Sequence, residues 1–193
     1  MMQLKNDQNR YGAVAQGFHW AIVALVITQF ILAYQAHDLP AGLEKLQVLA
    51  RHKSVGITIF ALAALRLLWR LFNPVPAYPA AMPRWQHLAA RSSHFLLYAL
   101  LLVLPILGWM MSSARNFPVS WWGIVTLPDL IGPSEAAFHF LHEAHETLAK
   151  ALFVLALIHA AAALKHHFID KDDVLRRMLP VRLKSTPDRP SMD

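Results

Sequence analysis

The chain has 193 residues, 56% hydrophobic and 16% charged, with a mean hydropathy of +0.36. That balance excludes an ordinary soluble domain, and the lack of any cysteine excludes disulfides, thiolate-held iron–sulfur clusters and thioether-attached cofactors. The formal charge of +6 invites a nucleic-acid partner, but Lys and Arg flank apolar runs instead of interleaving with exposed aromatics, so they report membrane orientation and no nucleic acid is expected.

In chain order, residues 1–16 are polar and read as a cytoplasmic N-terminal segment. The apolar run behind them is too long for a cleaved signal and lacks a small-residue cleavage site, so the first membrane helix is predicted over 17–36. A second, over 52–72, is stopped by Pro74, Pro76, Pro79 and Pro83. The third, over 91–113, contains Pro105 and Gly108, tolerated in lipid as a kink and a close-packing point. Trp121, Trp122, Pro128 and Pro133 then mark a stretch that cannot span but suits an interfacial lid. The fourth helix is predicted over 142–168, followed by a polar tail over 169–193. Lys and Arg concentrate at the two termini and in the loop after the second helix, which places both termini in the cytoplasm. The expected fold is all-α, an integral membrane four-helix bundle whose partner is membrane lipid.

The histidines give this bundle its chemistry. His145 and His159 lie fourteen residues apart on the fourth helix, an advance of about 21 Å in almost four whole turns, so both imidazoles share one stripe near opposite membrane faces. An ionisable side chain in lipid is costly and therefore functional by default. His19 enters the first helix at the inner depth of His159, and His52 enters the second at the outer depth of His145. Each pair suits the two axial positions of a haem iron, giving two haems. Gly17, Ser54 and Gly56 beside these histidines leave room for a flat macrocycle. Arg66 lies fourteen residues beyond His52 and is expected to pair with an inner propionate, the ordinary alternative being a snorkelling boundary cation.

The pieces Tyr11 to Trp20, His52-Lys53-Ser54-Val-Gly56, Leu65-Arg66-Leu-Leu-Trp69-Arg70, His94-Phe-Leu-Leu-Tyr98, His145-Glu146-Thr-Leu-Ala and His159 to His167 resemble the bacterial cytochrome b561 family over about Tyr11 to Pro180. The resemblance implies two haem b groups ligated by His19, His52, His145 and His159, electron exchange with ubiquinone, and, in the nearest branch, oxidation of superoxide to oxygen at a bacterial inner membrane. Gln16 departs from a position where relatives carry a basic residue.

His94 is a rival for the inner iron or a hydrogen-bond donor to a propionate or quinone. His166 and His167 are expected to exchange protons with a quinone headgroup, and Arg51 and Lys53 to steer superoxide to the outer haem. His139 and His142 with Glu143 and Glu146 resemble a metal patch but read more simply as a solvated helix face. Two further readings stand beside the superoxide-driven quinone reductase: a cytochrome subunit for a periplasmic dehydrogenase or hydrogenase, and a haem-free transporter of metal or protons.

Overall fold

The computed structural model describes residues 3–79 and 82–180. Four long helices, α1 (Ala13–Asp38), α2 (Leu43–Leu71), α3 (Arg84–Ser113) and α4 (Glu135–Lys165), are each long and apolar enough to cross a bilayer. All four begin before the expected boundaries at 17, 52, 91 and 142. Hydropathy marks the lipid-buried span, whereas the helix continues into polar turns such as Glu44-Lys45 and Arg84-Trp85, where backbone hydrogen bonding needs no apolar side chain.

α1 packs on α2, α2 on α3, and α3 on α4. The centre is formed by Ile22, Val55, Ile59, Ala63, Leu101, Leu104 and Leu152. Large apolar side chains outside it, including Phe95, Phe140, Leu157 and Ile158, are 56–72% exposed; lipid covers such surfaces, so association rests on close packing and interhelical hydrogen bonds, not on hydrophobic expulsion. α1 and α4 are not among the closely packed pairs and meet through side chains: Phe30 and Phe153 have ring centres 5.2 Å apart.

The end of the bundle that carries residues 3–12 and 171–180, the terminal end, is closed by main chain. Gly12 lets the backbone of residues 4–5 pass directly over it, since a Cβ there would run into the Leu4 and Lys5 carbonyls. The first amides of α1 are satisfied by this segment: Gly12 N–H donates to Asn6 Oδ1 at 2.9 Å and Ala13 N–H to the Gln3 carbonyl at 2.9 Å, replacing a side-chain cap. Asn6 also donates to the Pro74 carbonyl at 2.9 Å. After α4 the chain widens into a π turn (His166–Asp170) and returns across α1. There Arg10, Gln16 and Trp20 donate to the carbonyls of Leu179, Arg177 and Met178 at 2.9, 3.2 and 2.8 Å. Residues 171–180, expected as the start of the polar tail, are a strap over the start of α1; residues 181–193 lie outside the described residues.

The opposite end is closed by a hairpin, β1 (Val119–Trp121) with β2 (Val125–Leu127), antiparallel with Trp121 opposite Val125. Trp122 and Gly123 turn it with φ of +53° and +71°, a left-handed conformation costing a bulky residue about 1–2 kcal/mol. Its bonds to α2 hold it there: both indole N–H groups, of Trp121 and Trp122, donate to Thr58 Oγ1 at 3.1 and 3.0 Å, and Ser54 Oγ donates to the Ser120 carbonyl at 3.1 Å.

Candidate functional site

Two histidine pairs face each other inside the bundle, one near each end. His52 of α2 and His145 of α4 have ring centres 6.4 Å apart at 65°. His19 of α1 and His159 of α4 have ring centres 6.4 Å apart at 72°. A metal held between two imidazole nitrogens, each at about 2.0–2.1 Å, puts the ring centres roughly 6.3 Å apart. Both pairs therefore fit one six-coordinate iron, and the second donor a thiolate would supply is absent from the chain. His94 of α3 stands 5.3 Å from His159 at 67°, about 1 Å too close for the two opposite axial positions of one haem iron.

The Nδ1 atoms of His19, His52, His94 and His145 are buried without a hydrogen-bond partner. Several small and polar neighbours set their rings. Gly108 of α3 lies under His145, where a Cβ would come within 3.2 Å of the ring; the proline one turn earlier, Pro105, removes a main-chain hydrogen bond there. Gln29 of α1 brings its amide nitrogen 3.1 Å from His52 Nε2, and a Cβ at Gly56 would meet that amide at 3.3 Å. The room expected at Gly56 and Ser54 is thus taken, by Gln29 and by the hairpin, while Gly17 opens onto free space. The sequence reading missed Gln29, whose one signal is that it is a lone amide in an apolar run; Gly108 gives its reason only once α4 is laid against α3.

At the terminal end, the Arg66 guanidinium sits over the Tyr98 ring at 5.5 Å and within electrostatic range of His19, His94 and His159. His166 Nδ1 lies 2.6 Å from Asp172 Oδ2 and 3.1 Å from Asp170 Oδ2. Lys165 Nζ closes on Asp170 at 2.7 Å. This is the one His–carboxylate trio among the described residues whose ligand atoms gather within 4.8 Å, and Lys165 already pairs with one of its two carboxylates. His167 keeps a buried Nδ1 without a partner. The metal patch weighed at His139, His142, Glu143 and Glu146 against a solvated helix face does not gather; His139 faces Glu135 at 3.6 Å and Glu146 holds Lys150 at 2.7 Å.

At the hairpin end, Lys53 is half-buried, donates to the Pro118 carbonyl at 3.2 Å and lies 5.7 Å from the Phe117 ring centre. Arg51 is exposed on the same turn of α2. Arg115 is neutralised by Glu135 at 3.0 Å.

The sequence profile of the family described as prokaryotic cytochrome b561 matches residues 10–181. The chain is 36% identical over 181 residues to "Cytochrome b561 homolog 2" of Escherichia coli (strain K12), across 92% of this chain and 95% of that protein. It is 30% identical to "Cytochrome b561 homolog 1" of the same organism, across 90% and 99%, and 29% identical to "Probable superoxide oxidase CybB" of Yersinia pestis, across 89% and 96%.

Proposed function

The chain belongs to the prokaryotic cytochrome b561 family, membrane electron-transfer proteins in which haem b is expected, and on that premise we propose that it is a di-haem superoxide:ubiquinone oxidoreductase of the bacterial inner membrane. The observation that supports two haems is the recurrence of one separation, 6.4 Å, in two histidine pairs spaced fourteen residues apart along α4. Haem b, when bound, supplies reversible one-electron chemistry. The protein's part is to fix the depth and orientation of each site and to keep the sites apart.

The excess of Lys and Arg at the terminal end puts that end in the cytoplasm and the hairpin end outside. Electrons then enter beside His52 and His145 and leave beside His19 and His159. Two superoxide anions give two electrons and two oxygen molecules, and one ubiquinone takes those electrons with two cytoplasmic protons to become quinol. His166, oriented by Asp172 and Asp170, is a proton-exchange group at the cytoplasmic face, with His167 beside it. Arg51 and Lys53 supply the positive field that an incoming anion needs. The superoxide reading draws on the name of the Yersinia pestis relative and on those cations.

Haem stoichiometry tests the ligand scheme. The purified protein should hold two low-spin b haems, and His52→Ala or His145→Ala should lose one while retaining the other. Two low-spin haems in either variant would sink the pairing. Superoxide generated enzymatically should reduce the oxidised protein, and a wild type it leaves oxidised removes the superoxide reading.

A further inference from the structure

Arg66 is held inside the terminal half of the bundle, yet no carboxylate pairs with it in any ion pair of the described residues. Its nearest polar companions also lack partners. The Tyr98 hydroxyl, on the ring that the guanidinium covers at 5.5 Å, is buried without a hydrogen-bond partner. His94, one helical turn before Tyr98 on the same face of α3, keeps its Nδ1 buried and unpartnered. A buried hydroxyl without a partner is penalised, and a guanidinium sheltered from water without a counter-ion more so. Two donors of this kind, side by side, call for one acceptor that carries negative charge.

No described residue supplies it. Tyr11 approaches Arg66 and Arg70, but burial raises its phenol above the ordinary value against the opposing pull of Arg70 and Arg66, so it stays neutral. Water would satisfy the hydroxyl and leave the charge. A planar carboxylate satisfies both, with two oxygens for two donors. Resting on the reading that His19 and His159 hold a haem, we propose that Tyr98 and Arg66 form the seat of one propionate of that haem, Tyr98 donating its hydroxyl to a carboxylate oxygen. Tyr98 is then a positioning residue for the cofactor, and it also weakens the carboxylate's field at the iron. Losing the donor leaves the propionate charge less compensated, which favours the ferric form and lowers the potential.

The test uses the holoprotein with haem labelled with ¹³C at the propionate carboxyls. Redox titration followed by redox-difference infrared spectroscopy compares wild type, Tyr98→Phe and Arg66→Lys. Tyr98→Phe should keep both low-spin haems, lower the potential of one haem only, and shift a labelled carboxylate band; Arg66→Lys should shift the same band. An unmoved band and unmoved potentials in Tyr98→Phe overturn the proposal. So does a lowered potential with an unmoved labelled band, because the hydroxyl then serves another acceptor. A wild type without a haem at His19 and His159 fails the underlying reading, visible before any variant is made. Should Tyr98→Phe assemble poorly, Arg66→Lys alone keeps the proposal testable: a labelled carboxylate band that does not move in it overturns the seat.

Discussion

At the scale of single residues, the terminal end of the bundle offers three imidazoles for one iron, and distance separates them. His19 and His159 stand 6.4 Å apart and His94 and His159 only 5.3 Å. A bis-imidazole iron at roughly 6.3 Å therefore suits the first pair without movement, whereas the second would need a helix shift of about 1 Å. His94→Ala is expected to keep two low-spin haems, while His19→Ala loses one; pyridine haemochrome analysis per mole of protein decides it. Loss of a haem in His94→Ala, with both retained in His19→Ala, makes His94 the ligand. The four paired histidines were legible in the sequence because helical rise converts residue spacing into depth. Their neighbours were not. Gln29 against His52 and Gly108 against His145 depend on how α1 meets α2 and α3 meets α4, and a spacing argument within one helix carries no information on that.

At the scale of elements, the hairpin shows where periodicity stops informing. Val119 to Leu127 has the aromatic composition of an interfacial segment, and the sequence supports a lid. What makes it a hairpin is a turn at Trp122 and Gly123 with positive φ at both, and tryptophan is a poor signal for that conformation. The strain is tolerated because α2 over-determines the position, with Thr58 Oγ1 accepting from two indoles while donating to the Ser54 carbonyl at 2.9 Å. Thr58→Val preserves shape and removes the acceptor. It should cost about 1–3 kcal/mol, one partly sheltered indole N–H losing its bond and a second, more exposed one turning to water. Limited proteolysis of the 116–134 segment should accelerate accordingly, with both haem spectra unchanged. An unchanged cleavage rate would mean that the remaining bonds, from Ser54 to Ser120 and from Lys53 to Pro118, hold the hairpin without Thr58. The strap of residues 171–180 escaped the sequence for a related reason: its anchors are main-chain carbonyls of Arg177, Met178 and Leu179, and every residue has one of those.

At the scale of the whole molecule, the charge distribution joins the two ends into one function. Cations cluster at the terminal end, the proposed cytoplasmic end; the few at the hairpin end lie at the proposed entry point of an anion. Among those, a carboxylate cancels Arg115, but neutral carbonyls hold Lys45 and Lys53 at 3.1 and 3.2 Å and leave their charge intact. Arg51 and Lys53 flank His52 directly. A unit charge about 8 Å from the entry point contributes roughly 0.5 kcal/mol in water, about a twofold change in local anion concentration. Arg51→Gln or Lys53→Gln should therefore slow the bimolecular reduction of the oxidised protein by superoxide about two- to threefold at low ionic strength. The double variant should multiply the two effects, because the sites act through the field and not through a shared contact. Near 1 M salt, where the screening length falls to about 3 Å, wild type and variants should converge. Lys53→Gln also loses a bond to the hairpin, so Arg51→Gln is the cleaner variant: its side chain is exposed. Stopped-flow traces at several salt concentrations read this directly, and an Arg51→Gln rate equal to wild type at 10 mM salt would show that superoxide reaches the outer site without help from this face.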